Sequence, residues 1–243
     1  MLGPLLLFAL LAFVLKYIGH PPMATSITVA TMMTAVLATL GRLAVAYVFS
    51  VMCAIPIALL IEHNRTFETI LLPIFDVLES VPNLALLPAL VVFFGSFGFI
   101  EGAAITILFL NMVWTIVFAL VGGLQVIPHD MFSAGRVFGL RGFSMIRRLT
   151  LPAIFPQFVT GSILAVASGW NIIIVAEALH VYLPQGTSAQ DLFGIGTILV
   201  QTSAVGDTAT YMLAFGVMIA MIAAFNFFVW QRLLHYSQRF RFE

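Results

Sequence analysis

The residues of this chain that could do chemistry are few and scattered. Its one cysteine, Cys53, lies in an apolar run, and its five histidines, His20, His63, His129, His180 and His235, form no pair at metal-ligand spacing. No disulfide can form within the chain, and no metal centre is expected. There is no Gly-x-x-x-x-Gly-Lys-Ser/Thr stretch, so the chain has no phosphate-cradling loop of its own. No Ser/His/Asp or Cys/His set is recognisable, and no catalytic residue is assigned. What remains is charge in costly places. Glu177 is the only acid between residues 153 and 190. At mid-membrane depth a carboxylate costs about 2.5–3.5 kcal/mol. A continuous helix from Pro152 would carry Glu177 about 37 Å along, to an outer interface. It reads equally as a cheap interfacial acid and as a residue that lines or gates a pathway or pairs with a partner. Asn111, Trp114, Trp170 and Asn171 are the other pathway candidates. Aromatic anchoring and interhelical hydrogen bonds account for them about as well. The longest polar stretch, SAGRVFGLRGFSMIRRLTLP over residues 133–152, carries four arginines between long apolar runs and must stand outside a bilayer.

The elements that position these residues follow from composition. Of 243 residues, 62% are hydrophobic and 8% are charged, against roughly 25% charged in a soluble domain. A small soluble fold cannot hide so much apolar surface. The expected class is therefore an all-α polytopic membrane protein, since a transmembrane barrel would show short alternating segments. The zero net charge gives no reason to expect a nucleic-acid partner.

Six spans are predicted, at roughly 2–18, 42–61, 68–94, 102–123, 153–178 and 209–231, each near the length of about 20 residues that crosses the hydrocarbon core. Residues 2–18 lack a basic leader and a small-residue cleavage site, so they read as a retained span. Residues 23–41 are apolar but rich in Thr and Ser; they read as an interfacial helix, an outer extension of the second span, or a separate seventh span. The 68–94 segment holds Pro73, Pro82 and Pro88 and is expected to kink or break. Gly161, Ala165 and Gly169 recur every four residues on one face and predict close helix packing, at a dimer seam or beside a pore.

Charge placement orients the spans. With the 124–152 loop inside, Arg136, Arg141, Arg147, Arg148, Arg65, Arg232, Arg239 and Arg241 are cytoplasmic, and only Lys16 and Arg42 fall outside. Both termini are then cytoplasmic. The chain divides into an N-terminal helix and interfacial segment at 1–41, a core at 42–232 and a tail at 233–243.

The polar stretch has its own local logic. Pro128-His129-Asp130 reads as a helix start, with Asp130 capping free N–H groups. Gly139 suits the left-handed residue that ends a helix. Gly142 and Phe143 reopen the chain into a second short helix bearing Arg147 and Arg148, and Leu151-Pro152 begin the next span. The outcome is a helix–turn–helix lying along the membrane surface.

That arrangement resembles the permease subunit of binding-protein-dependent ABC importers. The family motif runs Glu-Ala-Ala, three residues, Gly, nine residues, Ile-x-Leu-Pro. Ser133-Ala134-Gly135, Gly139 and Leu149-Thr150-Leu151-Pro152 keep that spacing, with Ser133 for Glu, Gly135 for Ala and Leu149 for Ile. The resemblance extends over roughly 40–232. Glu79-Ser80-Val81-Pro82-Asn83-Leu84-Ala85 through Pro88, Phe94-Gly95, Trp170, Ala176-Glu177 and Gly194-Ile195-Gly196 look like the nitrate/sulfonate/taurine branch. The tail NFFVWQRLLHYSQRFRFE is similar to that of variants in which two permease domains are fused.

The resemblance implies a type I ABC importer (MetI-like) permease fold in a prokaryotic inner membrane. It puts Asp130, Ser133, Ala134, Gly135, Arg136, Gly139, Leu140, Arg141, Leu151 and Pro152 on an ATPase-coupling loop, with coupling helices near 128–149. It implies two ABC ATPase subunits, a second permease subunit (identical or homologous) and an extracytoplasmic solute-binding protein meeting loops 95–101 and 179–208. No cofactor is implied in this chain; ATP and Mg belong to the ATPase. The branch suggests a small anion as solute. The alternatives are a stand-alone secondary transporter or channel and a non-transporting membrane scaffold.

Overall fold

The structure, a computed structural model, describes residues 29–179 and 191–240. The span expected at 2–18 lies outside them. The described residues are helical throughout, with no strand. The longer helices are α1 (Val29–His63), α2 (Arg65–Ser80), α3 (Asn83–Ser96), α4 (Glu101–Gln125), α5 (His129–Val137), α6 (Leu151–Glu177), α7 (Ile195–Val205), α8 (Thr208–Phe225) and α9 (Gln231–Ser237). A turn at Phe143–Met145 and a π-helical segment at Ile146–Thr150 lead into α6; another π segment at Asn226–Trp230 joins α8 to α9. Four helical stretches are long and apolar enough to cross a membrane: Ala30–His63, Glu101–Gln125, Phe143–Glu177 and Thr208–Phe240. The helices Thr66–Ser80 and Asn83–Ser96 are apolar enough only when taken together, and are bent by 86° at the break between them.

Residues 29–41 do not form a span of their own. They run without interruption through residue 42 as the first third of α1; residues 23–28 of the same segment lie outside the described residues. α1 stops where Asn64 starts the next helix, its side-chain oxygen accepting the Thr66 N–H at 2.9 Å. The expected break in 68–94 falls at Val81-Pro82. Val81 is extended (φ −68°, ψ 124°), as steric conflict with a following proline demands. Pro73 and Pro88 are absorbed inside α2 and α3.

The chain forms two compact units. One takes in residues up to Ala46, Asn83–Leu108 and Trp170–Val229. Its apolar core joins Met32, Ala35 and Val36 of α1 to Ile195, Ile198 and Leu199 of α7 and Ala214 and Met218 of α8. Trp170 meets Phe225 edge-on within it. The other unit takes in Tyr47–Pro82, Phe109–Gly169 and the residues from Trp230. Here the Tyr47 hydroxyl donates to Ser162 Oγ at 2.8 Å, and Phe155 packs against Tyr236 and Phe240. Gly161 sits so close to Ala119 of α4 that an added Cβ would overlap it, and Ala165 is fully buried. The small-residue face of α6 thus brings two backbones of the same chain together, which is how helices gain van der Waals contact where lipid provides no hydrophobic drive.

Candidate functional site

Two sites stand out, one in each unit. The first is the polar hairpin after α4. α5 begins after Pro128, which has extended geometry and supplies no side-chain cap; the capping role expected of Asp130 is not taken. The helix ends as expected. Gly139 has φ +78°, its N–H donates to Arg136 C=O at 3.0 Å, and the Leu140 N–H donates back to Gly135 C=O at 2.9 Å. This paired closure satisfies carbonyls that the helix end leaves free. Gly142, at φ +51° and ψ −128°, then turns the chain in a conformation costly for any side chain.

Gly135 makes the two arms of the hairpin meet. It is buried, and a Cβ there would sit 2.9 Å from Met145 Sδ and 3.1 Å from Leu149 Cδ1. The outer surface is a different matter. Val137 is 85%, Phe138 84% and Phe143 76% exposed, beside exposed Asp130, Ser133, Ala134, Arg136, Gly139 and Arg141, while Leu140, Leu151 and Pro152 are half-buried. Large exposed apolar side chains among arginines have the composition of a protein-docking surface.

The second site is a buried charge cluster that gathers α1, α4, α6 and α7. Glu177, the last residue of α6, is fully buried, and Arg42 of α1 is 7% exposed. Arg42 forms a two-pronged pair with Glu101, Nε to Oε2 at 2.7 Å and Nη2 to Oε1 at 2.8 Å. Its Nη1 donates to Glu177 Oε1 at 2.8 Å and to the Phe193 carbonyl at 2.9 Å. Glu177 Oε1 also accepts from Thr39 Oγ1 at 2.7 Å, and Oε2 accepts the Gly196 N–H at 2.8 Å. Thr39 Oγ1 in turn accepts the Ile195 N–H at 3.1 Å, and the Leu192 N–H closes onto the Glu177 carbonyl at 3.0 Å.

One guanidinium faces two carboxylates, so the balance needs another positive element. The start of α7 provides it: first-turn N–H groups lack helical partners, and the aligned peptide dipoles favour an anion there. Two glycines make room. A Cβ at Gly194 would overlap the Glu177 carboxylate, and one at Gly196 would lie 2.8 Å from Ile174 Cα and 2.9 Å from Glu177 Oε2.

The remaining pathway candidates are placed separately. Asn111 donates to Ser168 Oγ at 2.8 Å. Trp114 packs on Phe75, ring centres 4.9 Å apart. Trp170 is buried and Asn171, beside it on α6, is exposed. Sequence reasoning missed Thr39, Arg42 and Glu101 as members of a site. A signal existed: Arg42 is the only Lys or Arg between residues 17 and 64, and lone charges in apolar segments normally find each other. Among the described residues no group of three or more His, Cys, Asp and Glu is placed to hold a metal.

The described residues form apolar helices of membrane length with an exposed basic hairpin, in a MetI-like fold. Residues 46–240 match the family of binding-protein-dependent transport system inner membrane components, and the chain belongs to that family. It is therefore a multi-pass inner-membrane component of a binding-protein-dependent system, of the kind whose ATPase activity resides in separate subunits.

The chain is 34% identical to the nitrate import permease protein NrtB of Leptolyngbya laminosa over 142 residues, 58% of this chain and 50% of that protein. It is 30% identical to the bicarbonate transport system permease protein CmpB of Synechococcus elongatus over 141 residues, 58% and 50% of the two. The chain thus spans about half the length of these curated relatives. A probable ABC transporter permease of Brucella melitensis, BMEII0107, is 25% identical over 180 residues, 73% and 72% of the two. A chain of the MetNI methionine ABC transporter, solved in inward-facing conformations, shares the fold with a TM-score of 0.73 at 19% identity, covering 88% of this chain and 99% of that one.

Proposed function

We propose that this chain is the transmembrane subunit of an ABC importer and forms half of the solute pathway. Its partners are two ABC ATPase subunits that bind ATP and Mg, a second permease subunit (identical or homologous) and an extracytoplasmic solute-binding protein. The observation that carries this reading is the α5 hairpin, with Val137, Phe138 and Phe143 exposed beside Arg136 and Arg141. Asp130, Ser133, Ala134, Gly135, Arg136, Gly139, Leu140 and Arg141 dock the ATPase, and Leu151-Pro152 pass its movement into α6. The arginine bias puts the hairpin and both chain termini in the cytoplasm. The Glu177 end of α6 then faces outward.

The solute is a small anion, a reading supported by relatives named for nitrate and bicarbonate. No Lys or Arg occurs between 66 and 135 or between 149 and 231, and Arg42 is engaged by two acids. The pathway therefore handles its solute with neutral groups, and charge selectivity resides in the binding protein.

The test is reconstitution with a candidate P-loop ATPase partner. Co-purification and ATP-dependent uptake are expected. Ala134→Glu with Gly139→Glu should abolish transport-coupled hydrolysis; unchanged coupling would sink the reading. Uptake by this chain alone, without ATP, would favour a secondary transporter or channel.

A further inference from the structure

Arg42 does more than neutralise a buried acid. Its guanidinium alone touches α4 through Glu101, α6 through Glu177 and the backbone at Phe193, all from a position on α1. A rigid planar fork can hold these directions at once; the point charge of a lysine cannot. The placement continues into α7. Glu177 Oε1, held by Arg42, also receives Thr39, and Thr39 receives the Ile195 N–H, while Oε2 receives the Gly196 N–H. The first turn of α7 is thus fixed by this cluster, and because the groups are out of water a partly made network is costly.

α6 runs unbroken for 27 residues from Leu151 to Glu177, about 40 Å at helical rise. Glu101, at the rim of the cluster, keeps 42% of its side chain exposed, so the assembly reaches the surface at that end.

We propose that Arg42 is a positioning residue of the outer face: by holding the buried start of α7 and the carbonyl of Phe193, a residue 49% exposed, against α1 and α4, it sets the surface onto which the binding protein releases solute. The inference rests on the importer reading and names a device within it. Engagement of the ATPase through α5 does not depend on it.

The experiment uses the full transporter in proteoliposomes, with Arg42→Lys, Arg42→Gln and the milder Thr39→Val. Three quantities are measured: recovery of the assembled complex, ATP hydrolysis without binding protein, and hydrolysis and uptake against the concentration of solute-loaded binding protein. Expected are normal assembly and unstimulated hydrolysis in Arg42→Lys and Thr39→Val, but a rise in half-saturating binding protein and a loss of stimulated uptake of roughly tenfold to a hundredfold, the scale set by a misplacement of about 1 Å. Arg42→Lys should fail to rescue Arg42→Gln despite keeping the charge. Unchanged stimulation in Arg42→Lys overturns the inference. So does a loss that merely tracks the amount of complex in all three variants. If the unaltered chain assembles with no ATPase, the importer reading falls first and takes this inference with it.

Discussion

At the scale of single residues, Glu177 is held by neighbours as much as by charge. The carboxylate fits only because positions 194 and 196 carry no side chain. Gly194→Ala is expected to push the carboxylate off its donors and cost about 1–3 kcal/mol, the usual range for overpacking. Gly41→Ala, where nothing lies within 4 Å, should be neutral or gain up to about 1 kcal/mol from better helix propensity. Thermal unfolding in detergent compares the two directly; equal melting temperatures would refute the packing argument. Arg42→Leu should be harsher, about 3–5 kcal/mol, because it strands a buried acid. Removing Arg42, Glu101 and Glu177 together with apolar or amide replacements should recover much of that loss in the same assay. Glu177 was visible in the sequence as a lone acid, but its partner was not. Arg42 lies 135 residues away and counted only as one more outer charge, since helix periodicity carries no information about contacts between distant segments.

At the scale of elements, the hairpin was the most legible part of the chain. Gly139 marked a left-handed helix end because few other residues tolerate it, and it has φ +78°; the second short helix expected to bear Arg147 and Arg148 does not stand apart, since Phe143–Thr150 run straight into α6. The cap at Asp130 was misjudged: a carboxylate near a helix start is a good cap only when its own backbone precedes the helix, and here Pro128 holds that place. The break expected in 68–94 is there, but three prolines did not say which would cause it; what unwinds the helix is the extended Val81 before Pro82. Gly139→Ala should cost about 1–2 kcal/mol of local strain and weaken ATPase binding without altering insertion. Gly135→Leu should be worse, since Met145 and Leu149 already occupy that space. Pull-down of the ATPase by membrane-inserted variants reads both effects; retained binding in Gly135→Leu would show that the two arms need not touch.

At the scale of the whole molecule, the all-α membrane class was readable from hydropathy and the MetI-like fold from the motif resemblance, whereas the number of separate spans was less so. The described residues hold four apolar stretches and one bent pair, and the 23–41 ambiguity arose because Thr and Ser are tolerated equally in a long helix and at an interface. Orientation is directly testable. In a Cys53→Ser background, Phe138→Cys should react with a membrane-impermeant thiol reagent only in inside-out vesicles, and Val205→Cys only in right-side-out cells. Both positions are more than three-quarters exposed, so silence on the expected side would invert the topology.

Arg42 also imposes an order on biosynthesis. It leaves the ribosome 59 residues before Glu101 and 135 before Glu177. At about 5–20 residues per second, those partners arrive about 3–12 s and 7–27 s later. During that interval the guanidinium, at the outer end of the 42–61 span, has neither carboxylate to pair with. A nascent chain stalled before Glu101 would expose an unpaired cation at the outer interface, a mark by which membrane quality control can recognise an unfinished copy.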